Sequence, residues 1–151
     1  QYVKKVRTAV GYAAKHKLYE KLVAENAEGI VFKHLDLPYT EGRGSAKEGP
    51  YKYKFYETAS FIVHKVNQQR SVELKLYSPE YCPGDVLVGN VTIPVNFQVP
   101  PVGAVVEVRY LYAYKGGSIY QPVYLGERID ITPEECSISQ LKYKQQPIDL
   151  I

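Results

Sequence analysis

The chain has 151 residues, enough for one ordinary domain or two small units and too few for a large catalytic core. Its apolar fraction of 45% is that of a globular protein, and no apolar run approaches bilayer-spanning length, so the pattern predicts a soluble protein without membrane helices. A formal net charge of +3 is mildly basic and compatible with a nucleic-acid partner.

Two cysteines, Cys82 and Cys136, lie far apart with no metal-ligand spacing near either, which predicts reduced thiols and a cytoplasmic setting. Fifteen tyrosines against four phenylalanines, with no tryptophan, suit both half-buried strands and surfaces that stack on bases. The chain has no methionine and opens on Gln1 inside an apolar-basic pattern, so we expect a piece of a longer polypeptide.

In chain order, Tyr2 to Val10 is compatible with a helix face (Val3, Val6, Val10) or a short strand. Tyr12 to Asn26 predicts a helix, with Ala14, Leu18 and Leu22 as its stripe, widened by Tyr19 and Val23. Glu28-Gly29-Ile30-Val31-Phe32-Lys33 reads as a strand, with Glu28, Ile30 and Phe32 on one face and Gly29, Val31 and Lys33 on the other. Lys52-Tyr53-Lys54 reads as a second strand, with Tyr51, Tyr53 and Phe55 opposite the lysines. Two cations about 7 Å apart along a strand repel unless an anion lies between them, and phosphate fits; lysines that guard an edge strand against aggregation are the alternative. Between these strands, Asp36 to Pro50 is a long charged glycine-proline loop carrying Arg43.

After Thr58 the texture changes to short strands: Ser60–Val66, Ser71–Tyr77, Val86–Ile93 bent at Gly89, Val105–Tyr114 and Ile119–Gly126. In the clearest, Val72, Leu74 and Leu76 share a face opposite Ser71, Glu73 and Lys75. Asn67 to Arg70, Ser78 to Glu80 and Lys115 to Ser118 read as turns, and Pro122 as an edge or bulge signal. Five antiparallel strands of this length predict a small closed or partly open barrel of the oligonucleotide-binding (OB) type. The fold class expected is α+β. A helix-bearing piece, residues 1–58, with one helix and short strands, precedes an OB-fold β-barrel, residues 59–151.

Laid out this way, the chain resembles over nearly its whole length the C-terminal half of a compact bacterial ATP-dependent DNA ligase, which implies that residues 1–58 are a partial nucleotidyltransferase (ATP-grasp-like) subdomain, the C-terminal part of the adenylation domain. Glu28 to Lys33 looks like nucleotidyltransferase motif IV, Lys52-Tyr53-Lys54 like motif V, and Arg128-Ile129-Asp130 like motif VI. Asp36 to Arg43 and Val108 to Ala113 are also of the kind these ligases carry. The resemblance implies Mg2+ held through the hard oxygens of Glu28, and Lys33 pointed into the nucleotide pocket. It implies Lys52 and Lys54 on the α-phosphate of ATP and of the adenylate, and Arg128 with Asp130 on the pyrophosphate leaving group. Ile131 stands where many ligases carry a lysine, and no Lys-x-Asp-Gly nucleophile string is present. The parent enzyme would seal nicks in duplex DNA, as in replication, repair and recombination, while this chain alone would be unable to adenylate itself. Nicked duplex DNA and ATP are the implied partners, with a monomer acting.

The barrel cations Lys65, Arg70, Lys75, Arg109 and Lys115, with Arg43 from the loop, are the candidate contacts to DNA. An RNA ligase or capping-type nucleotidyltransferase would share the pocket motifs. A non-catalytic single-strand binder would instead use Tyr110, Tyr112, Tyr114 and Tyr120 as a stacking platform; the alternative for that face is the barrel core.

Overall fold

The computed structural model describes residues 2–39, 41–42, 49–80 and 84–145, and the chain divides into two units, residues 1–55 and 56–151.

The first unit holds helix α1 (Tyr12–Ala24) and strands β1 (Gly29–Phe32) and β2 (Tyr51–Lys54), paired antiparallel. Gly11 caps the helix start with a φ of 84°, and Asn26 in the left-handed region closes its end. There Asn26 N–H donates to the Val23 carbonyl and Ala27 N–H to the Leu22 carbonyl, each at 3.0 Å, satisfying carbonyls the helix end leaves open. Residues 2–10, compatible in sequence with a helix or a strand, form neither. Val3, Val6, Thr8 and Val10 are β-branched, which disfavours a helix, and no described strand pairs with them. Arg7 ties this segment to the helix end through Glu25, with Nη1 to Oε1 at 3.1 Å and Nη2 to Oε2 at 2.7 Å. That hydrogen-bonded guanidinium holds the Glu25 carboxyl below its ordinary range.

No described residue of the first unit is buried. Leu18, Leu22 and Ile30 are half-buried, and Tyr19 meets Phe55 edge-on at 5.5 Å. A two-stranded sheet with one helix encloses too little apolar surface for a closed core.

The second unit is a five-stranded antiparallel sheet in the order β5-β4-β3-β6-β9, from β3 (Glu57–Val66), β4 (Ser71–Tyr77), β5 (Asp85–Thr92), β6 (Val105–Tyr110) and β9 (Val123–Arg128). A small ladder pairs β7 (Tyr112–Ala113) with β8 (Ile119–Tyr120). Val72, Leu74 and Leu76 of β4 are fully buried, on the face that period-two alternation assigns them. With Phe61, Val63, Val88, Val91, Val106, Val108 and Tyr110 they form the core, each large side chain contributing about 1.5–3 kcal/mol on burial.

Three bulges bend the sheet, at His64 in β3, Val88 in β5 and Leu125 in β9. Gly89 follows the second with a φ of 103°, and a Cβ there would lie 2.8 Å from the Ser118 Cβ, so both conformation and space require glycine. The edge strands β5 and β9 approach each other, but no ladder joins them among the described residues. A closed barrel is therefore not formed by hydrogen bonding; the sheet is one whose edges converge.

Two expected strands are each split. Leu111 separates β6 from β7, and Gln121, with a φ of 52°, separates β8 from β9. The register nevertheless runs through, from Arg109↔Val123 to Tyr112↔Tyr120, so the four short strands are one hairpin broken at matching places on both arms.

Candidate functional site

The β1–β2 register places the motif residues. Val31 faces Lys52 and Gly29 faces Lys54, so Lys52 and Lys54 share a sheet face with Gly29 and Val31. Ile30, Phe32, Tyr51 and Tyr53 take the other face, toward Phe55 and the helix. Lys52 is exposed and Lys54 half-buried. Gly29 is the residue whose role sequence reading missed: a Cβ there would collide with the Tyr53 carbonyl oxygen and stand 2.9 Å from the Lys54 Cα. The lysine-bearing strand can approach only because position 29 has no side chain.

Glu28 stands just before β1, accepts a hydrogen bond from Phe55 N–H at its carbonyl (3.0 Å), and is exposed. Strand alternation assigns its side chain to the face away from Lys52 and Lys54. No cluster of three or more His, Cys, Asp or Glu side chains occurs among the described residues.

A cavity of about 810 Å³ opens in the first unit, with Val6, Val10, Leu18, Leu22, Phe32 and Lys33 in its wall. Every residue from Gly29 to Leu35 lines it, from both faces of β1, so it runs along the β1 edge that β2 does not pair. Lys33 is an exposed residue of its wall; Lys52 and Lys54 do not line it.

In the second unit, Arg128 at the end of β9 meets Asp130 in a two-pronged pair, Nε to Oδ1 at 3.0 Å and Nη2 to Oδ2 at 2.5 Å. Its Nη1 donates to Glu107 Oε2 and Ser60 Oγ, each at 3.3 Å. Ser60 and Glu107 are cross-strand neighbours, and Ser60 Oγ donates to Glu107 at 2.7 Å. Gln140 closes the group, accepting from Ser60 N–H at 3.0 Å and donating to its carbonyl at 3.2 Å. Hydrogen bonds to Asp130 above all, and to Glu107, push the Arg128 pKa further up against the opposing effect of burial; Asp130 is held below its ordinary range by the same contact. The structure thus spends Arg128 and Asp130 on each other. Ser60, Glu107 and Gln140 carry no local signal of this group, because they converge from positions up to 80 residues apart.

The remaining cations separate into engaged and exposed. Arg70, expected on phosphate, clamps a loop: Nε donates to the Ile93 carbonyl at 3.2 Å, and Nη2 to the carbonyls of Pro94, at 3.0 Å, and Phe97. Lys75 pairs with Asp85 at 2.7 Å. Arg109 lies over the Tyr56 ring, 4.5 Å from its centroid, and is exposed, as are Lys65 and Lys115. Arg43 lies outside the described residues, as does Cys82. Cys136 is fully buried, and burial pushes its thiol up to about 11, so it is an inert core group.

The tyrosines also divide. Tyr110 is fully buried, meets Phe61 edge-on at 6.2 Å, and accepts from Lys142 N–H at 2.9 Å; burial raises its pKa. It is core, as the plainer reading of that face held. Tyr114 and Tyr120, beyond the break at Leu111, are partly exposed.

No family model and no curated protein matches the chain. Among solved structures it is similar to one described as "DNA binding with a minimal scaffold: Structure-function analysis of Lig E DNA ligases". The TM-score is 0.55 and the sequence identity 22%, over 81% of this chain and 48% of that one. At that identity the likeness establishes the fold. The chain spans about half the length of this neighbour.

Proposed function

We propose that this chain is the phosphate-handling and DNA-gripping part of an ATP-dependent DNA ligase. The observation that carries the reading is the β1–β2 register, which sets Lys52 and Lys54 together beside a glycine-enforced close approach. The fold likeness to a Lig E DNA ligase chain supports it.

In this reading Lys52 and Lys54 hold the α-phosphate of ATP, and Lys33 reaches the nucleotide from the wall of the β1 groove. Glu28 offers one hard oxygen, but on the sheet face opposite Lys52 and Lys54, so these residues by themselves do not fit an Mg2+ shared with that phosphate. ATP supplies the adenylyl group. The attacking lysine comes from polypeptide outside these residues, and the open β1 edge with its half-exposed apolar side chains is the surface such polypeptide would cover. Arg128 reaches an anion only by leaving Asp130. The second unit is an OB-type domain that grips the duplex with Lys65, Arg109 and Lys115.

Equilibrium binding of nicked duplex DNA between 50 and 200 mM salt tests the reading. Three phosphate contacts give a logarithmic slope of about −2.7, or roughly 40-fold weaker binding across that range. A flat salt response refutes the DNA surface. With labelled ATP, a covalent adenylate on the chain alone refutes the assignment of the nucleophile to other polypeptide.

A further inference from the structure

The tip of the β7–β8 hairpin carries a cluster that the duplex-gripping role leaves unused. Tyr112 and Tyr120 are cross-strand partners and stack, with centroids 5.0 Å apart and planes at 15°. Tyr114 packs edge-on against both, at 5.5 Å and 6.2 Å. Tyr112 is 7% exposed and forms the base, whereas Tyr114 and Tyr120 are 41% and 38% exposed.

The Lys144 ammonium stands 5.5 Å from the Tyr112 and Tyr114 ring centroids. The main chain that carries it is anchored to the hairpin: Lys144 N–H donates to the Ala113 carbonyl and Ala113 N–H to the Lys142 carbonyl, both at 2.7 Å. Lys115 is exposed in the adjoining turn. Neither residues 108–126 nor residues 136–145 contain an Asp or Glu, so the two stretches that build the tip carry only positive charge. Glu57, paired with Tyr110 at the far end of the broken hairpin, is the acid that acts on Lys142; a pre-packed aromatic surface built from acid-free stretches and bordered by cations complements a π-face joined to a negative backbone.

We propose that Tyr114, Tyr120 and Lys144 form a stacking site for an unpaired base of single-stranded nucleic acid. Lys144 takes a flanking phosphate, and Lys115, which the duplex grip also uses, lies beside it. This deepens the DNA-binding reading and rests on it: the second unit would prefer DNA with an unpaired stretch beside the nick over fully paired duplex.

The test is fluorescence anisotropy with the full chain and three labelled probes: a thymidine oligonucleotide, an abasic oligonucleotide of equal length, and a nicked duplex. The thymidine strand should bind about 5- to 150-fold tighter than the abasic strand, the range expected for stacking on aromatic side chains. Tyr120→Phe should keep that ratio, and Tyr114→Leu with Tyr120→Leu should collapse it towards one while nicked-duplex affinity holds. The abasic comparison needs no variant, so misfolding cannot mimic its result. Equal binding of thymidine and abasic strands overturns the stacking site while duplex binding leaves the ligase reading standing; loss of binding to all three probes overturns both.

Discussion

Arg70 distinguishes a structural clamp from a DNA contact. Its guanidinium serves the carbonyls of Ile93, Pro94 and Phe97, and Phe97 in turn meets Tyr124 edge-on at 5.2 Å. Hydrogen bonds from a charged donor are worth about 1.5–3 kcal/mol each, but three on one guanidinium do not add. Pro94 and Phe97 retain access to solvent and can rehydrate, whereas Ile93 is 1% exposed, so Arg70→Ala should cost about 2–3 kcal/mol. For a unit of this size that lowers the melting temperature by about 8–24 °C. Arg70→Lys keeps the charge and loses the planar fork, so it should show about half that loss. Thermal unfolding by circular dichroism reads the stability, and nicked-duplex anisotropy below both melting temperatures reads the DNA term. Lysine should bind nicked duplex within about twofold of arginine, since a clamp residue carries no phosphate contact. Variants that melt with the wild type, while Arg70→Ala weakens DNA binding tenfold, would refute the clamp.

Gly29→Ala should part β1 from β2, because its Cβ meets backbone atoms of Tyr53 and Lys54 rather than a side chain that can rotate away. Overpacking of this kind costs about 1–3 kcal/mol, and a unit with none of its described residues buried has little to spare. Amide exchange at 29–32 and 51–54 should accelerate while β3 to β9 stay protected; unchanged exchange in the hairpin contradicts this. Asp130 should titrate below its ordinary value of 3.8 because Arg128 hydrogen-bonds its charged form. The folded-state pKa is depressed, so the pair's stabilisation is present above 3.8 and lost as pH falls through the lower, folded value. Carboxyl NMR should show the titration move up in Arg128→Gln; an Asp130 midpoint equal in both proteins would mean the contact is absent in solution.

Local pattern was enough for a good part of this. The stripe at Ala14, Leu18 and Leu22 specified α1, and Asn26 its end. Alternation in Ser71–Tyr77 specified which side chains of β4 are buried, and Gly89 marked a bend that is a bulge. The pairing of Lys52 with Lys54 on one face follows from period two alone. Such features were legible because a residue's own backbone decides them.

The partners of those side chains were not. Identical charge chemistry put Arg70 and Lys65 in one group of candidates, yet a loop returning from residue 97 consumed Arg70 and left Lys65 exposed. Tyr110, Tyr112 and Tyr114 alternate identically in sequence, yet the first two are buried, at 0% and 7% exposure, and the third is at the surface. Residues 2–10 found no strand partner among the described residues and stayed irregular. Sequence by itself determined α1, the strand faces and the turns, since periodicity reports a side chain's direction relative to its own chain. Only tertiary structure decided that Arg128 joins Asp130, Glu107 and Ser60, and that Gly29 sits against Tyr53, since register and bulges set which distant residues meet.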